Sequence, residues 1–362
     1  METKQRNFEK ENMVITLVLW IMLCGISMTA MLYLSAHKAI VIADVTQDQD
    51  HVELNASSIQ EGQELKMLQT QSGGGVFEIL LPTDVRAENV VMENRYMDRQ
   101  LWIHIQCDDT EIFEANPVSG DISSILDGRY EVQPDGVLLK FAMDGIKEYR
   151  STMEGNKLRV EGFQPKELYS FIVVLDPAGG GSENGMWGYG YKEKELTLQI
   201  ARQVQRSFDL SEVKLYLTRT DDVEVPREDR INLVKEVEAD LYIRVSAAEN
   251  SEDEGKYGIQ CYYNEDFFIP DFGNVELADI ATKAVTIASS NRAVGLIPVE
   301  QESILREINI PAVQLSVGYL SNDQERNLLR QEDYRQKVAE GILNAIEESC
   351  QRLKDLQVGE GK

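Results

Sequence analysis

The chain of 362 residues predicts an α/β protein: a C-terminal domain with a twisted central sheet flanked by helices, a small β-sandwich-like module before it, and a single N-terminal transmembrane helix. Three observations predict this. Residues 13–36 carry no formal charge. Residues 76–168 break into short strand-like runs separated by turn signals. Residues 170–353 alternate apolar runs with segments of 3.6-residue periodicity, the pattern of an α/β sheet. A hydrophobic content of 43% is enough to fill such cores, and four Cys are too few for a disulfide scaffold. With 36 Lys+Arg against 62 Asp+Glu the formal charge is −26, which excludes a nucleic-acid partner, because phosphate backbones are held by clustered cations.

The elements follow in order. Residues 1–12 contain Lys4, Arg6 and Lys10, whereas after the apolar run only Lys38 appears before Lys66. This asymmetry makes residues 1–12 cytoplasmic and residues 13–36 a transmembrane anchor, longer than the roughly 7–15 apolar residues of a cleaved signal. The expected location is the cell membrane, single-pass, with the C-terminal domains extracytoplasmic. Residues 37–75 are polar and acidic, end in Gly73-Gly74-Gly75, and read as a linker. In the β-rich module, 76–168, strand candidates are 76–81, 101–105, 136–141 and 157–160. They are separated by Asp127-Gly128, Pro134-Asp135-Gly136 and Gly155-Asn156.

From residue 170 the pattern changes. Phe171 to Leu175 is a continuous apolar run ending in Asp176-Pro177. A helix is expected from Glu193 to Phe208, with Leu196, Ile200, Val204 and Phe208 on one face. Strands are expected at 213–217, 241–245, 258–263 and 311–317. Helices are expected from Pro226 to about Glu238 and over 274–290. A last helix should run from Asp333, as its N-cap, to Leu353, leaving 354–362 as a fraying tail.

Several motifs in this order resemble the zinc-dependent N-acetylmuramoyl-L-alanine amidases of bacterial cell walls. They are Asp176-Pro177-Ala178-Gly179-Gly180-Gly181, Glu193-Lys194-Glu195-Leu196, Thr218-Arg219-Thr220-Asp221-Asp222, Arg230, Ala239-Asp240-Leu241, Leu305-Arg306, and Pro311-Ala312-Val313 with Gly318-Tyr319-Leu320-Ser321-Asn322. The hairpin-like stretch that closes the β-rich module is similar to a targeting module that often precedes such amidases, which would make 76–168 a cell-wall targeting module and 170–353 an amidase-like domain. The resemblance implies two His and one Glu on zinc and a second Glu as general base. Here the metal positions fall on Gly179, Glu193 and Ser246, and the base position on Ser316. All three His of the chain (His37, His51 and His104) precede residue 170.

A catalytic zinc takes three protein ligands, most often imidazoles, and lowers the pKa of bound water from 15.7 to about 7, roughly 12 kcal/mol of help in making hydroxide. The sequence therefore leads to the expectation of a catalytically degenerate, inactive homologue with no catalytic residue, no metal and no cofactor, the family zinc being lost. Its partner would be peptidoglycan or a cell-wall, division or sporulation protein, with the membrane reached through the N-terminal helix. Arg244, Arg306 and Asn322 are candidate groove-binding residues, and Arg244, in place of a small residue of the family, is expected to pair with Glu193. Two alternatives stay open: an active amidase with an atypical metal site, and a structural envelope protein that binds no glycan.

Overall fold

The computed structural model describes residues 42–44, 62–70, 73–188, 190–248 and 252–360. The expected cytoplasmic segment and transmembrane anchor, and most of the expected linker, lie outside the described residues. No helix among the described residues is long and apolar enough to cross a membrane.

The β-rich module is a sandwich of two sheets. Its strands are β1 (Ile42–Asp44), β2 (Gln63–Glu64), β3 (Met67–Gln69), β4 (Val76–Leu80), β5 (Val90–Arg95), β6 (Gln100–Gln106), β7 (Val118–Gly120), β8 (Ile125–Gln133), β9 (Gly136–Met143), β10 (Glu148–Glu154) and β11 (Lys157–Phe163). One sheet has the order β1-β5-β6-β9-β8-β2 and the other β10-β11-β4-β7-β3. Alternation along the strands sends Phe77, Ile79, Leu101, Ile103, Ile105, Leu139, Phe141, Leu158 and Val160 into one shared core. The expectation of a linker over 37–75 is corrected here. Residues 42–44, 63–64 and 67–69 pair into the sheets, and Leu65 is buried. The polar character of the stretch hid them, because these strands are two or three residues long and sit at sheet edges.

The C-terminal domain is a three-layer α/β unit. Its strands are β12 (Phe171–Pro177), the small hairpin β13 (Trp187–Gly188) and β14 (Tyr191–Lys192), β15 (Val213–Leu217), β16 (Leu241–Ala248), β17 (Ile259–Tyr263), β18 (Ala293–Pro298) and β19 (Ala312–Tyr319). The central sheet has the order β15-β12-β16-β19-β17-β18. β15, β12, β16 and β19 run parallel, while β17 pairs antiparallel with β19. The main helices are α1 (Glu193–Ser207), α2 (Arg227–Glu236), α3 (Asn274–Ser289), α4 (Asp323–Leu329) and α5 (Glu332–Glu360). Leu196, Ile200 and Val204 of α1, Leu277, Ala281 and Val285 of α3, and Val338, Ile342 and Ile346 of α5 cover one face of the sheet. Ile231 and Val234 of α2, together with Leu305, cover part of the other. The helix expected to end at Leu353 continues to Glu360, and its start at Glu332 places Asp333 inside the first turn rather than at the N-cap. The strand β18 was not expected, because Gly295 interrupts its short apolar run and much of it is half-exposed.

The two units dock through the edge strand β15 and its neighbours. Tyr96 and Ile146 of the module join Ile172, Val174 and Tyr216 in a common apolar cluster. The Tyr96 hydroxyl donates to the Leu217 carbonyl at 2.6 Å. Arg99 pairs with Glu236 at 2.7 Å. Lys214, its side chain 11% exposed, reaches Asp44 at 2.6 Å and Glu148 at 2.8 Å, and the Tyr216 hydroxyl also donates to Glu148. Burial would lower the Lys214 pKa, but Asp44 and Glu148 outweigh it and hold the ammonium above its ordinary value. Removing one member of a buried ion pair leaves the other uncompensated, at a cost of about 3–5 kcal/mol. Lys214→Met is therefore expected to lower unfolding stability by about that amount in urea titrations at pH 7. A loss under about 1 kcal/mol, the range of an exposed pair, would contradict this account of the junction.

Candidate functional site

Strand alternation sorts the site residues. Val173, Leu175, Ile243, Val245, Val313 and Leu315 point into the core under α1, α3 and α5. The residues between them (Asp176, Tyr242, Arg244, Ser246, Gln314 and Ser316) project from the opposite face. Register places them side by side: Asp176 opposite Arg244, Arg244 opposite Gln314, Ser246 opposite Ser316, and Ser316 opposite Gln260. A row of polar groups therefore crosses the sheet near the carboxyl ends of its parallel strands, where open α/β sheets place their ligands.

Asp176 is the centre of this row and is fully buried. One oxygen accepts from the Thr218 hydroxyl at 2.6 Å and from Arg230; the other accepts from the Tyr242 hydroxyl and Arg244. Burial alone would raise its pKa, but Arg230 and Arg244, with the two hydroxyls, hold it well below the ordinary carboxylate range. Arg230 also donates to the Gly179 carbonyl at 2.9 Å and the Val225 carbonyl at 3.0 Å. Arg219 ties the same loop down through the carbonyls of Pro177 at 3.0 Å, Ala178 at 2.9 Å and Lys194 at 2.9 Å. Burial, and then Arg230 beside it, lower the Arg219 pKa to about 10.

The positions singled out by resemblance are gathered at this edge. Glu193 opens α1 and is buried; its two oxygens accept from the backbone N–H of Ala247 and of Met186, each at 2.7 Å. Burial pushes its pKa up against those two bonds. Gly179 has φ +72°, and a Cβ there would lie 2.7 Å from the Glu183 carbonyl, so this loop has closed over the place of a side chain. Ser246 is buried, with its hydroxyl 3.4 Å from the Leu315 carbonyl. The buried Ser316 hydroxyl has no hydrogen-bond partner among the described residues. Arg244 does not make its ion pair with Glu193, contrary to expectation: its carboxylate partner is Asp176, directly across the strand pair. Arg306 pairs with Asp266 and donates to the carbonyls of Val299 at 2.9 Å and Glu300 at 3.0 Å, which makes it a clasp of its own loop. Asn322 caps α4, accepting from Gln324 at 3.0 Å and Glu325 at 3.1 Å.

A groove of about 560 Å³ opens over this row, with Arg230, Arg244, Tyr262 and Gln314 among its lining and Glu183, Glu300 and Glu302 at its rim. Sequence reasoning placed Tyr262, with Gly258 and Tyr263, among the amidase-like motifs but did not single out Tyr242 or Gln314. The signal that could have found Tyr242 is the spacing Tyr242, Arg244, Ser246 on one strand face.

The residues present do not fit a three-ligand zinc centre. Gly179 offers no donor, the Ser246 hydroxyl is neutral, and both oxygens of Glu193 are already engaged by backbone N–H groups. A fixed guanidinium, Arg244, stands beside them, and among the described residues there is no group of three or more His, Cys, Asp or Glu able to hold an ion.

Residues 173–348 match the family described as N-acetylmuramoyl-L-alanine amidase. The chain is similar to "Probable cell wall amidase LytH" of Staphylococcus aureus, 28% identical over 184 residues, which are 49% of this chain and 58% of the relative. The chain thus spans little more than half the length of that relative. Among solved structures it is similar to the catalytic domain of CwlV, an N-acetylmuramoyl-L-alanine amidase from Bacillus (Paenibacillus) polymyxa var. colistinus, at 26% identity, covering 49% of this chain and 97% of that one with a TM-score of 0.45. It is also similar to an N-acetylmuramoyl-L-alanine amidase from Clostridium difficile 630, at 26% identity, covering 49% and 95% with a TM-score of 0.46. The expectation of an inactive homologue that is not an enzyme is corrected by the family match and the curated relative, both of which are named amidases.

The Asp176 cluster gives a stability prediction. Asp176→Asn leaves Arg230 and Arg244 without their shared countercharge and is expected to cost about 3–5 kcal/mol at neutral pH. Because the folded-state pKa is depressed, the stability this carboxylate contributes is present above its unfolded value. It is lost only as pH falls through the lower, folded one. Denaturant titrations should therefore show the gap between wild type and variant intact from pH 7 to 5 and closing only below about pH 4. A gap that closes already at pH 6 would contradict this geometry.

Proposed function

We propose that the protein acts on peptidoglycan as a member of the cell-wall amidase family, engaging the polymer along the groove at the carboxyl edge of the sheet. The observation that carries this reading is the family match over residues 173–348, with the groove lying over its polar row. We propose further that zinc is not held here as the family holds it. The donor chemistry at Gly179, Glu193 and Ser246 supports this, since one carboxylate with both oxygens occupied is a weak anchor for the ion.

The test is made on the purified full chain. It is expected to co-pellet with insoluble peptidoglycan, and the supernatant is assayed for released stem peptides before and after dialysis against a chelator. Absence of both co-pelleting and release would overturn the peptidoglycan reading. The proposal about zinc predicts well under one equivalent of zinc by elemental analysis after exposure to excess ion and desalting. One tightly held equivalent would defeat it.

The uncharged run 13–36 and the Lys/Arg asymmetry around it support a second proposal, that the chain is anchored in the cell membrane with the later domains outside the cytoplasm. Alkaline carbonate washing of membranes should leave the full chain in the pellet, whereas release into the wash would reject a spanning segment.

A further inference from the structure

Two guanidiniums, those of Arg230 and Arg244, line the groove and share one buried carboxylate, Asp176. Glu193 lies near Arg244, and Asp222 lies near Arg219. Arg219 and Arg230 spend their donors on loop carbonyls. Arg244 is different. One of its nitrogens, Nη1, meets Asp176, and the Tyr242 hydroxyl lies beside it; no other acceptor takes its remaining N–H donors among the described residues. The side chain is 15% exposed and lines the groove. A guanidinium held by a buried carboxylate on one edge, with a free edge toward an open groove, is oriented for a second carboxylate. The rim has the opposite sign. Glu183, Glu300 and Glu302 are exposed and make no ion pair among the described residues, while Arg227 at the same rim is taken by Glu307 at 2.5 Å.

We propose that this groove is a zwitterion site: it takes a peptide segment that bears a free carboxylate, bound by Arg244 at the floor, and a free amine, held by Glu300 and Glu302 at the rim. This rests on the reading that the groove engages peptidoglycan, and it names the part of the polymer, the peptide and its charged ends rather than the sugar, that the groove reads. A ligand with a carboxylate alone would meet the acidic rim unfavourably, and one with an amine alone would find no countercharge for the floor.

Calorimetric titration of the full chain with N-acetyl-alanyl-γ-glutamyl-lysine, whose one amine is the lysine side chain, tests this, against the same peptide with both carboxyls amidated and with the lysine amine acetylated. Amidation is expected to weaken binding at least about tenfold, the scale of a charge-assisted pair in a mostly buried setting. Acetylation is expected to weaken it about two- to fivefold, the scale of an exposed pair. Arg244→Gln should erase the acid-to-amide difference. Glu300→Gln with Glu302→Gln, at exposed positions that the fold does not need, should erase the amine preference and leave the carboxylate preference intact. Equal affinity of the native chain for all three peptides, or no heat with any of them at millimolar concentration, overturns the proposal whether or not the Arg244 variant folds. Co-pelleting with insoluble peptidoglycan is measured on the same preparation. If the polymer is bound but the peptides are not told apart, the zwitterion site fails while the peptidoglycan reading stands; if neither is bound, both fail.

Discussion

The C-terminal domain is organised around a single buried carboxylate. Asp176 sits where β12 ends, between β15 and β16, and its oxygens gather Thr218 from the strand end on one side, Tyr242 and Arg244 from the other, and Arg230 from α2. A carboxylate with no exposure is tolerated only when every lone pair is met, and the groups that meet it come from separate elements. Its desolvation therefore acts as a constraint on the fold: it fixes the height of α2 above the sheet, the course of the loop after Pro177, and the orientation of Arg244. The groove inherits its shape from that constraint.

A second buried charge cluster sets how the β-sandwich meets the α/β domain. Lys214 lies on the edge strand β15, which in an isolated domain would present an open ladder. Here the neighbourhood is covered by Tyr96, Ile146, Asp44 and Glu148 of the module. The consequence is a fixed orientation. With Asp44 held at the junction, the chain enters the sandwich beside the α/β domain rather than at the end of a long tether. The module is thus a structural neighbour of the α/β domain and not a bead on a string.

Much of this was legible in the sequence. The apolar runs at 171–175, 213–217 and 241–245 gave the parallel strands, and the four-residue stripe of Leu196, Ile200 and Val204 gave α1. The amidase motifs pointed to the family that residues 173–348 match, and singled out Gly179, Glu193, Ser246 and Ser316, which lie at one edge. What the sequence hid has physical reasons. β1, β2 and β3 are too short to show alternation, and they are polar because they lie at sheet edges. β18 is half-exposed and broken by Gly295. The partner of Arg244 was misread because chain distance favours neither Glu193 nor Asp176; only strand register, which sets Asp176 directly opposite, decides it. The inference of lost activity was an argument from a ligand set, and names carried by the family outweigh it.

A guanidinium and a metal ion at the same edge are different instruments. An ion gathers its ligands from several directions and leaves an open coordination position, so its loss would leave a void of uncompensated acids. Here no such void remains: the Glu193 oxygens are met by two backbone N–H groups, and the charge of Arg244 is already balanced in part by Asp176. Arginine suits this place better than lysine would. Its planar fork can keep one edge on Asp176 while presenting another to the groove, whereas a single ammonium bound by Asp176 would have little directional charge left to offer. The backing carboxylate lowers the net charge that a ligand feels, so it weakens attraction. In return it holds the guanidinium still, and a donor that does not have to be ordered on binding loses less entropy per hydrogen bond made. The geometry around Arg244 therefore favours selectivity for the direction and shape of an anionic group over sheer affinity for negative charge. That suits a protein whose formal charge of −26 repels anions at a distance and leaves recognition to local contact.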